Sequence, residues 1–287
     1  MITYIKRKDL EDDKYDACIE NSLQSRIYAL SWYLDIVADH WDVLVLDDYK
    51  AVMPIPWKQK YLLKYVTQPL FCQQLGVFSS KIISKNQLET FFKKVSSRFV
   101  KVSLCLNPSN YFDDDSNTRK NYILNLNSDY QSLLASFSRT RRQRVKLGIK
   151  NNLKVKPVVI DKLIEIQKRN YNYDGFSETI ILEISDSSTD SDRVEVLGVY
   201  KENELLGGGL FVKHQERIIY LFSSFTNNGR KYQAASFLIN YIIEQNQQQN
   251  KVLDFEGGNI KSIGDFFRSF GAEKETLTMF SRKLFKL

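Results

Sequence analysis

Cysteine and histidine are scarce. The 287 residues hold three cysteines, Cys18, Cys72 and Cys105, and two histidines, His40 and His214. An odd number of cysteines at wide spacings writes neither a disulfide framework nor a CxxC metal site; it suits small buried apolar residues. With no HExxH and no Ser-His-Asp motif, neither zinc nor triad chemistry has a recognisable signature, and no resident metal is expected. Glycine and proline number only 12 and 5, against 43% hydrophobic residues. That balance excludes collagen-like, mucin-like and wholly disordered classes, because enough apolar surface exists to offset chain entropy. No apolar run approaches the ~18 residues that cross a bilayer, and the start, Met1 to Lys8, leads into no signal-type apolar stretch. A globular cytoplasmic protein is expected.

Acidic residues are missing from one stretch in particular. The net charge is +7, and between Arg139 and Lys156 stand eight cations (Arg139, Arg141, Arg142, Arg144, Lys146, Lys150, Lys154, Lys156) with no acid, so the remainder is slightly negative. A concentrated patch favours a polyanion, or else is a solvated helix face beside a domain joint. At about 100° per residue Arg139, Arg142, Lys146 and Lys150 share one stripe of a helix over Asp129 to Leu147, opposite Tyr130, Leu133, Leu134 and Phe137. Arg141 and Arg144 fall on the apolar side, where they must reach carboxylates, a cleft or the end of the core.

The first half reads as strand Ile2 to Arg7, helices Leu10 to Asn21 and Tyr28 to Trp41, a hairpin of Asp42 to Asp47 with Ala51 to Trp57, helix Lys85 to Arg98 and strand Phe99 to Leu106. Pro54 and Pro56 ask for an edge or a bulge. After the polar break Asn107 to Arg119, with its Asp113-Asp114-Asp115 run, comes a strand over Asn121 to Leu126. The second half repeats the order. The basic helix is followed by strand Leu153 to Val159, helix Asp161 to Tyr173, a polar loop through Ser185 to Asp192, and strands Val194 to Lys201, Leu205 to His214 and Arg217 to Phe225. Helix Lys231 to Gln245, strand Val252 to Glu256, helix Ser262 to Phe270 and strand Thr276 to Phe285 complete it. Length and this repetition imply an α+β chain of two tandem mixed domains, residues 1–127 and 128–287, each a twisted, mostly antiparallel sheet flanked by helices, with the last strand open to either domain.

Three segments resemble the FemX/FemAB-like tandem GNAT-fold acyltransferases, relatives of the peptidoglycan-bridge aminoacyltransferases. They are Tyr130 to Arg144 with Asn152 to Val155; Gly207-Gly208-Gly209 to Val212 with Ile219 to Ser224; and Leu253-Asp254-Phe255-Glu256-Gly257-Gly258 leading into Phe266 to Gly271. The resemblance implies transfer of an acyl or aminoacyl group to an amine of a small molecule, peptide or cell-envelope precursor. The donor would be acyl-CoA or aminoacyl-tRNA, with no bound cofactor, in a cleft where central strands of the second domain splay. The CoA loop should lie near Asn227 to Ala235, but of its glycines only Gly229 is present; Asn228, Gly229, Arg230 and Lys231 are the phosphate candidates. A tRNA backbone would lie on Arg139, Arg142, Lys146 and Lys150.

Amide formation needs an unprotonated amine, a path for its proton and donors for the oxyanion. In a strand, Asp254 and Glu256 share a face with Cα atoms roughly 6.5 Å apart, making them the catalytic carboxylate candidates, unless one of them caps the strand or pairs with an arginine. Tyr220 is a candidate phenol donor, and Arg268 falls near the family's cation in the last helix. Arg169 and Tyr173 resemble a substrate-binding pair, and Arg141 and Arg144 point to the same use. Gly208, within the triple glycine, marks either a bulge or close approach of a ligand to the backbone. A non-catalytic nucleic-acid-binding or scaffold protein retaining the fold is the alternative.

Overall fold

The computed structural model describes residues 1–110, 112, 117–170, 177–187 and 193–283. Tyr173, the Asp113-Asp114-Asp115 run, the loop end 188–192 and Phe285 lie outside the described residues. The chain falls into two compact units, one of Met1–Arg119 with Thr276–Leu287, the other of Lys120–Glu275.

In chain order the first unit opens with β1 (Ile2–Lys6), α1 (Asp12–Glu20), α2 (Ser31–Val37), β2 (His40–Leu46), β3 (Ala51–Lys60), β4 (Leu63–Thr67), β5 (Phe78–Ser79), α3 (Lys85–Ser96) and β6 (Lys101–Cys105). There follow β7 (Thr118–Asn125), α4 (Tyr130–Ser136), α5 (Arg139–Lys150), β8 (Lys154–Pro157), α6 (Ile160–Asn170), α7 (Glu178–Asp186), β9 (Val194–Lys201), β10 (Glu204–His214) and β11 (Arg217–Phe225). Then come α8 (Asn227–Lys231), α9 (Ala234–Gln245), β12 (Val252–Asp254), α10 (Lys261–Arg268) and β13 (Glu273–Lys283).

Each unit is a mixed, mostly antiparallel sheet with helices, as the repetition in the sequence implies. The first has strand order β1-β2-β3-β4-β6-β13, with β5 on β3; the second has β7-β12-β11-β10-β9-β8. One parallel pair interrupts each series, β4 with β6 and β11 with β12. Parallel neighbours need a crossover, and helices supply it: α3 in the first unit, α8 and α9 in the second. Tyr15, Tyr28, Tyr33, Phe78 and Phe91 fill the core of the first unit. In the second, Leu238, Ile239, Ile242 and Ile243 of α9 pack with Phe211, Leu253, Phe255 and Phe270.

Several expectations are corrected. The basic helix is two helices, because Phe137 is extended and Ser138 caps a new start, its Oγ accepting from Arg141 N–H. The helix expected from Lys231 is likewise broken. Thr226 caps α8, and Gln233, at φ 61°, turns the chain before α9. The strand expected through Glu256 ends at Asp254, α7 replaces part of the polar loop, and β3 continues into a hairpin with β4. Pro54 and Pro56 sit in β3 between β2 and β4, yet β4 pairs only with Trp57 to Lys60. At both prolines β2 is the only ladder partner among the described residues, so the edge requirement is met locally.

Candidate active site

The three-residue β12 sets the site. It pairs in parallel with β11 only over Arg217 to Ile219, so from Tyr220 onward β11 has no ladder partner on that side among the described residues. Beside this free stretch lies a cavity of about 700 Å³ in the second unit. Tyr220, Ser223 and Phe225 of β11 form one wall, and Gly229, Arg230, Gln233 and Ser236 from α8, α9 and their joint a second. Ser262, Ile263, Phe266 and Phe267 of α10 form a third, and Arg144 of α5 reaches the rim. A gap beyond the ends of parallel strands is where open α/β sheets bind ligands.

The triple glycine shapes the wall without entering it. Gly207, at φ 134°, lies in a bulge against β9, and a Cβ on Gly208 would stand 2.1 Å from the Leu197 carbonyl oxygen. Gly208 therefore serves backbone contact, and its missing side chain opens no room for a ligand. A Cβ on Gly209 would meet the Tyr220 ring at 2.9 Å, so this glycine seats the tyrosine, which also stacks on Phe211 at 5.2 Å.

Arg141 and Arg144 reach the cavity region in different ways. Arg144 is exposed at its rim and has no hydrogen-bond or ion-pair partner among the described residues. Arg141 is buried behind the wall, 3% exposed. Its guanidinium lies 4.2 Å from the Phe266 ring and 4.5 Å from that of Phe270. It donates to Ser269 Oγ at 2.8 Å and to Ser236 Oγ. Burial pushes it down to about 10, with a smaller push from the like charge of Arg144. Arg230 donates to the Phe225 carbonyl at 3.1 Å and to Asn227 Oδ1, which holds it at the start of α8.

The two carboxylates are not brought together at this cavity. Asp254 is fully buried: its Oδ2 accepts from Arg217 at 2.6 Å and its Oδ1 from Asn121 Nδ2 at 3.0 Å and Glu256 N–H at 2.9 Å. Glu256, at φ 57°, stands past the strand end, so strand alternation does not apply to the pair. Neither lines the cavity. Arg268 is 63% exposed and paired with Asp265; Arg169 is 77% exposed, 3.6 Å from Glu165. Asn228 donates to Glu204 at 2.8 Å, and the Lys231 ammonium lies 5.9 Å from the Tyr232 ring centre. Of the residues read from sequence, the cavity gathers Tyr220, Gly229, Arg230 and Arg144. It adds Ser223, Gln233, Ser236 and Ser262, which carry no motif of their own.

No protein-family model and no curated protein matches the sequence. Solved structures do match. A crystal structure of FemX superposes with a TM-score of 0.69 at 11% identity, covering 96% of each chain. The fold is that of FemX. A tandem GNAT protein from the clavulanic acid biosynthesis pathway gives a TM-score of 0.56 at 8% identity over 100% of both chains. The C-terminal domain of a putative lysylphosphatidylglycerol synthetase from Agrobacterium fabrum gives 0.58 at 10%, over 93% of this chain and 90% of that one. At such identities the likeness establishes the fold alone, a FemX-like tandem GNAT fold. Among the described residues no helix is long and apolar enough to cross a membrane.

Proposed function

We propose that this chain is an N-acyltransferase, moving an acyl or aminoacyl group from a phosphate-bearing donor to an amine in the cavity beside β11. The observation that carries this reading is the cavity itself: two arginines, Arg144 and Arg230, and a tyrosine, Tyr220, around an apolar floor at the gap between β11 and β12. Arginines bind the donor's phosphates through charge-assisted hydrogen bonds. The amine attacks the donor carbonyl, a C–N bond forms and the C–S or C–O bond breaks. The proton lost by the amine balances the proton gained by the leaving group. Tyr220 can close that exchange, its phenol giving a proton to the leaving atom and regaining one from the ammonium. Arg141 acts as a positioning residue, holding Ser236 and the Phe266 ring in the wall.

Donor identity divides between two predictions. Acyl-CoA needs only the cavity cations. Aminoacyl-tRNA would also use Arg139, Lys146 and Lys150, whose side chains have no hydrogen-bond or ion-pair partner among the described residues, together with Arg142, which donates to the Ala135 carbonyl at 2.9 Å. Thermal-shift titration with CoA and acetyl-CoA, beside tRNA binding across a salt series, separates them. A CoA shift abolished by Arg144→Ala with Arg230→Ala identifies the first donor. tRNA binding that falls steeply with salt, and is lost when Arg139, Lys146 and Lys150 become glutamate, identifies the second. If neither ligand binds, or neither set of variants matters, the transferase reading fails. Salt-sensitive RNA binding without turnover would instead favour the nucleic-acid-binding alternative.

A further inference from the structure

In the middle of its sheet the first unit carries an unusual hairpin, β3–β4. Its two-residue turn carries Tyr61 and Leu62, 86% and 93% exposed, and Leu63, 56% exposed, opens β4. Two-residue hairpin turns favour Asn-Gly or Asp-Gly because φ must be positive, yet here Tyr61 adopts φ 55°. A bulky ring in that conformation is disfavoured, so local stability does not account for the residue choice.

Cations surround the tip, and the register explains how. Lys60 faces Leu63 across the hairpin, Tyr65 faces Lys101 on β6, and Lys101 faces Lys283 on β13. Two like charges directly opposite repel unless an anion lies between them. Among the described residues Lys60, Lys101, Arg282 and Lys283 have no ion-pair partner; Lys58 is held by Asp39 at 2.9 Å, and Lys64 lies over the Trp57 ring at 4.2 Å. Lys60, Tyr61, Leu63, Tyr65, Lys101 and Lys283 line a concavity of about 700 Å³, and among the described residues no carboxylate lines it. It lies where the parallel strands β4 and β6 begin, whereas the candidate active site lies past the end of β12, so it is no counterpart of that site.

We propose that this hairpin is a docking surface for an anionic lipid bilayer. Tyr61 and Leu62 enter the interface, where an amphipathic ring and an apolar tip are favoured, and the lysines snorkel to lipid phosphates. Charge complementarity selects this occupant, since a cluster of cations beside an apolar tip, without ion-pair partners among the described residues, matches a surface that is anionic outside and apolar just beneath. The two components reinforce each other, as stable peripheral attachment takes more than one signal.

The full-length protein is sedimented with phosphatidylcholine vesicles and with mixed phosphatidylcholine–phosphatidylglycerol vesicles. Uptake is expected on the mixed vesicles alone and should fall as salt is raised. Replacing Lys60 and Lys283 by glutamine should weaken partition about thirtyfold, and Leu62→Ser about tenfold or more, all three sites being too exposed to disturb folding. Equal uptake on both vesicles, no uptake, or variants that partition like the parent would overturn the proposal. So would a parent dimer that Leu62→Ser converts to a monomer without vesicle uptake, which would give the tip to a second copy of the chain.

Discussion

Asp254 and Arg217 form an ion pair of 2.6 Å in which the carboxylate is fully buried and the arginine side chain 16% exposed. Asn121 bridges the pair to Glu275 at 2.9 Å and accepts from Gly257 N–H at 2.9 Å. The carboxylate thereby ends β12 and fixes the turn that leads to α10. Asp254→Asn removes the buried charge that pairs with Arg217, whose guanidinium also lies 3.7 Å from Glu275, and should cost about 3 kcal/mol in urea unfolding. The variant that remains folded should keep its kcat. A loss of about 100-fold or more in kcat with stability unchanged would instead make Asp254 the proton acceptor.

Tyr220 gives the complementary result. Tyr220→Phe preserves the stack on Phe211 and removes only the hydroxyl. Turnover of a confirmed donor and acceptor should fall about 100-fold with donor affinity and melting temperature unchanged. Gly209→Ala should mimic the defect indirectly, because its Cβ would stand 2.9 Å from the ring and push it aside. Full activity in Tyr220→Phe would remove the phenol from the reaction.

Much of the fold was legible because hydrophobic period survives in the sequence. The α9 stripe and the long strands β9, β10 and β11 stand within a few residues of where alternation and helical spacing put them. What was hidden depended on single residues acting through space. Ser138 splits the basic helix because its side chain caps Arg141 N–H, and nothing in the cationic run announces that break. Leu63 to Thr67 forms β4 although two of its exposed residues are Leu63 and Lys64, so no in–out pattern marks it. The site was legible only in its cations and tyrosine. Asp254 and Glu256 looked like a pair on one face because strand geometry was extended past Asp254, whose side chain in fact accepts from Glu256 N–H and ends the strand.

The cysteines make a pH-dependent prediction. Burial pushes the Cys18 thiol up to about 11 from an ordinary value of 9.0, and Cys105 likewise. A raised acid pKa means that stability from these neutral thiols is complete below about 9 and is lost as pH climbs through about 11. At about pH 8 the native thiolates are roughly 100-fold rarer than in the unfolded chain, so iodoacetamide labelling should be slow and should speed up about tenfold per pH unit. A rate already at its plateau near neutrality would show an activated thiol at one of these positions.

The cap at Ser138 joins stability to donor binding. Its Oγ accepts from Arg141 N–H at 3.2 Å and its N–H donates to the Ser269 carbonyl at 2.9 Å, so the first turn of α5 is tied to the residue following α10. That turn carries Arg141, behind the wall, and the next turn carries Arg144, at the rim. Ser138→Ala should cost about 1 kcal/mol in urea unfolding. It should also weaken donor binding by more than an equally destabilising change at the remote cap Ser84 of α3, because only the former loosens an arginine of the cavity. Ser138→Asp restores an acceptor and should recover both. Equal donor affinity in Ser138→Ala and the parent would mean that Arg144 is held by something other than the start of its helix.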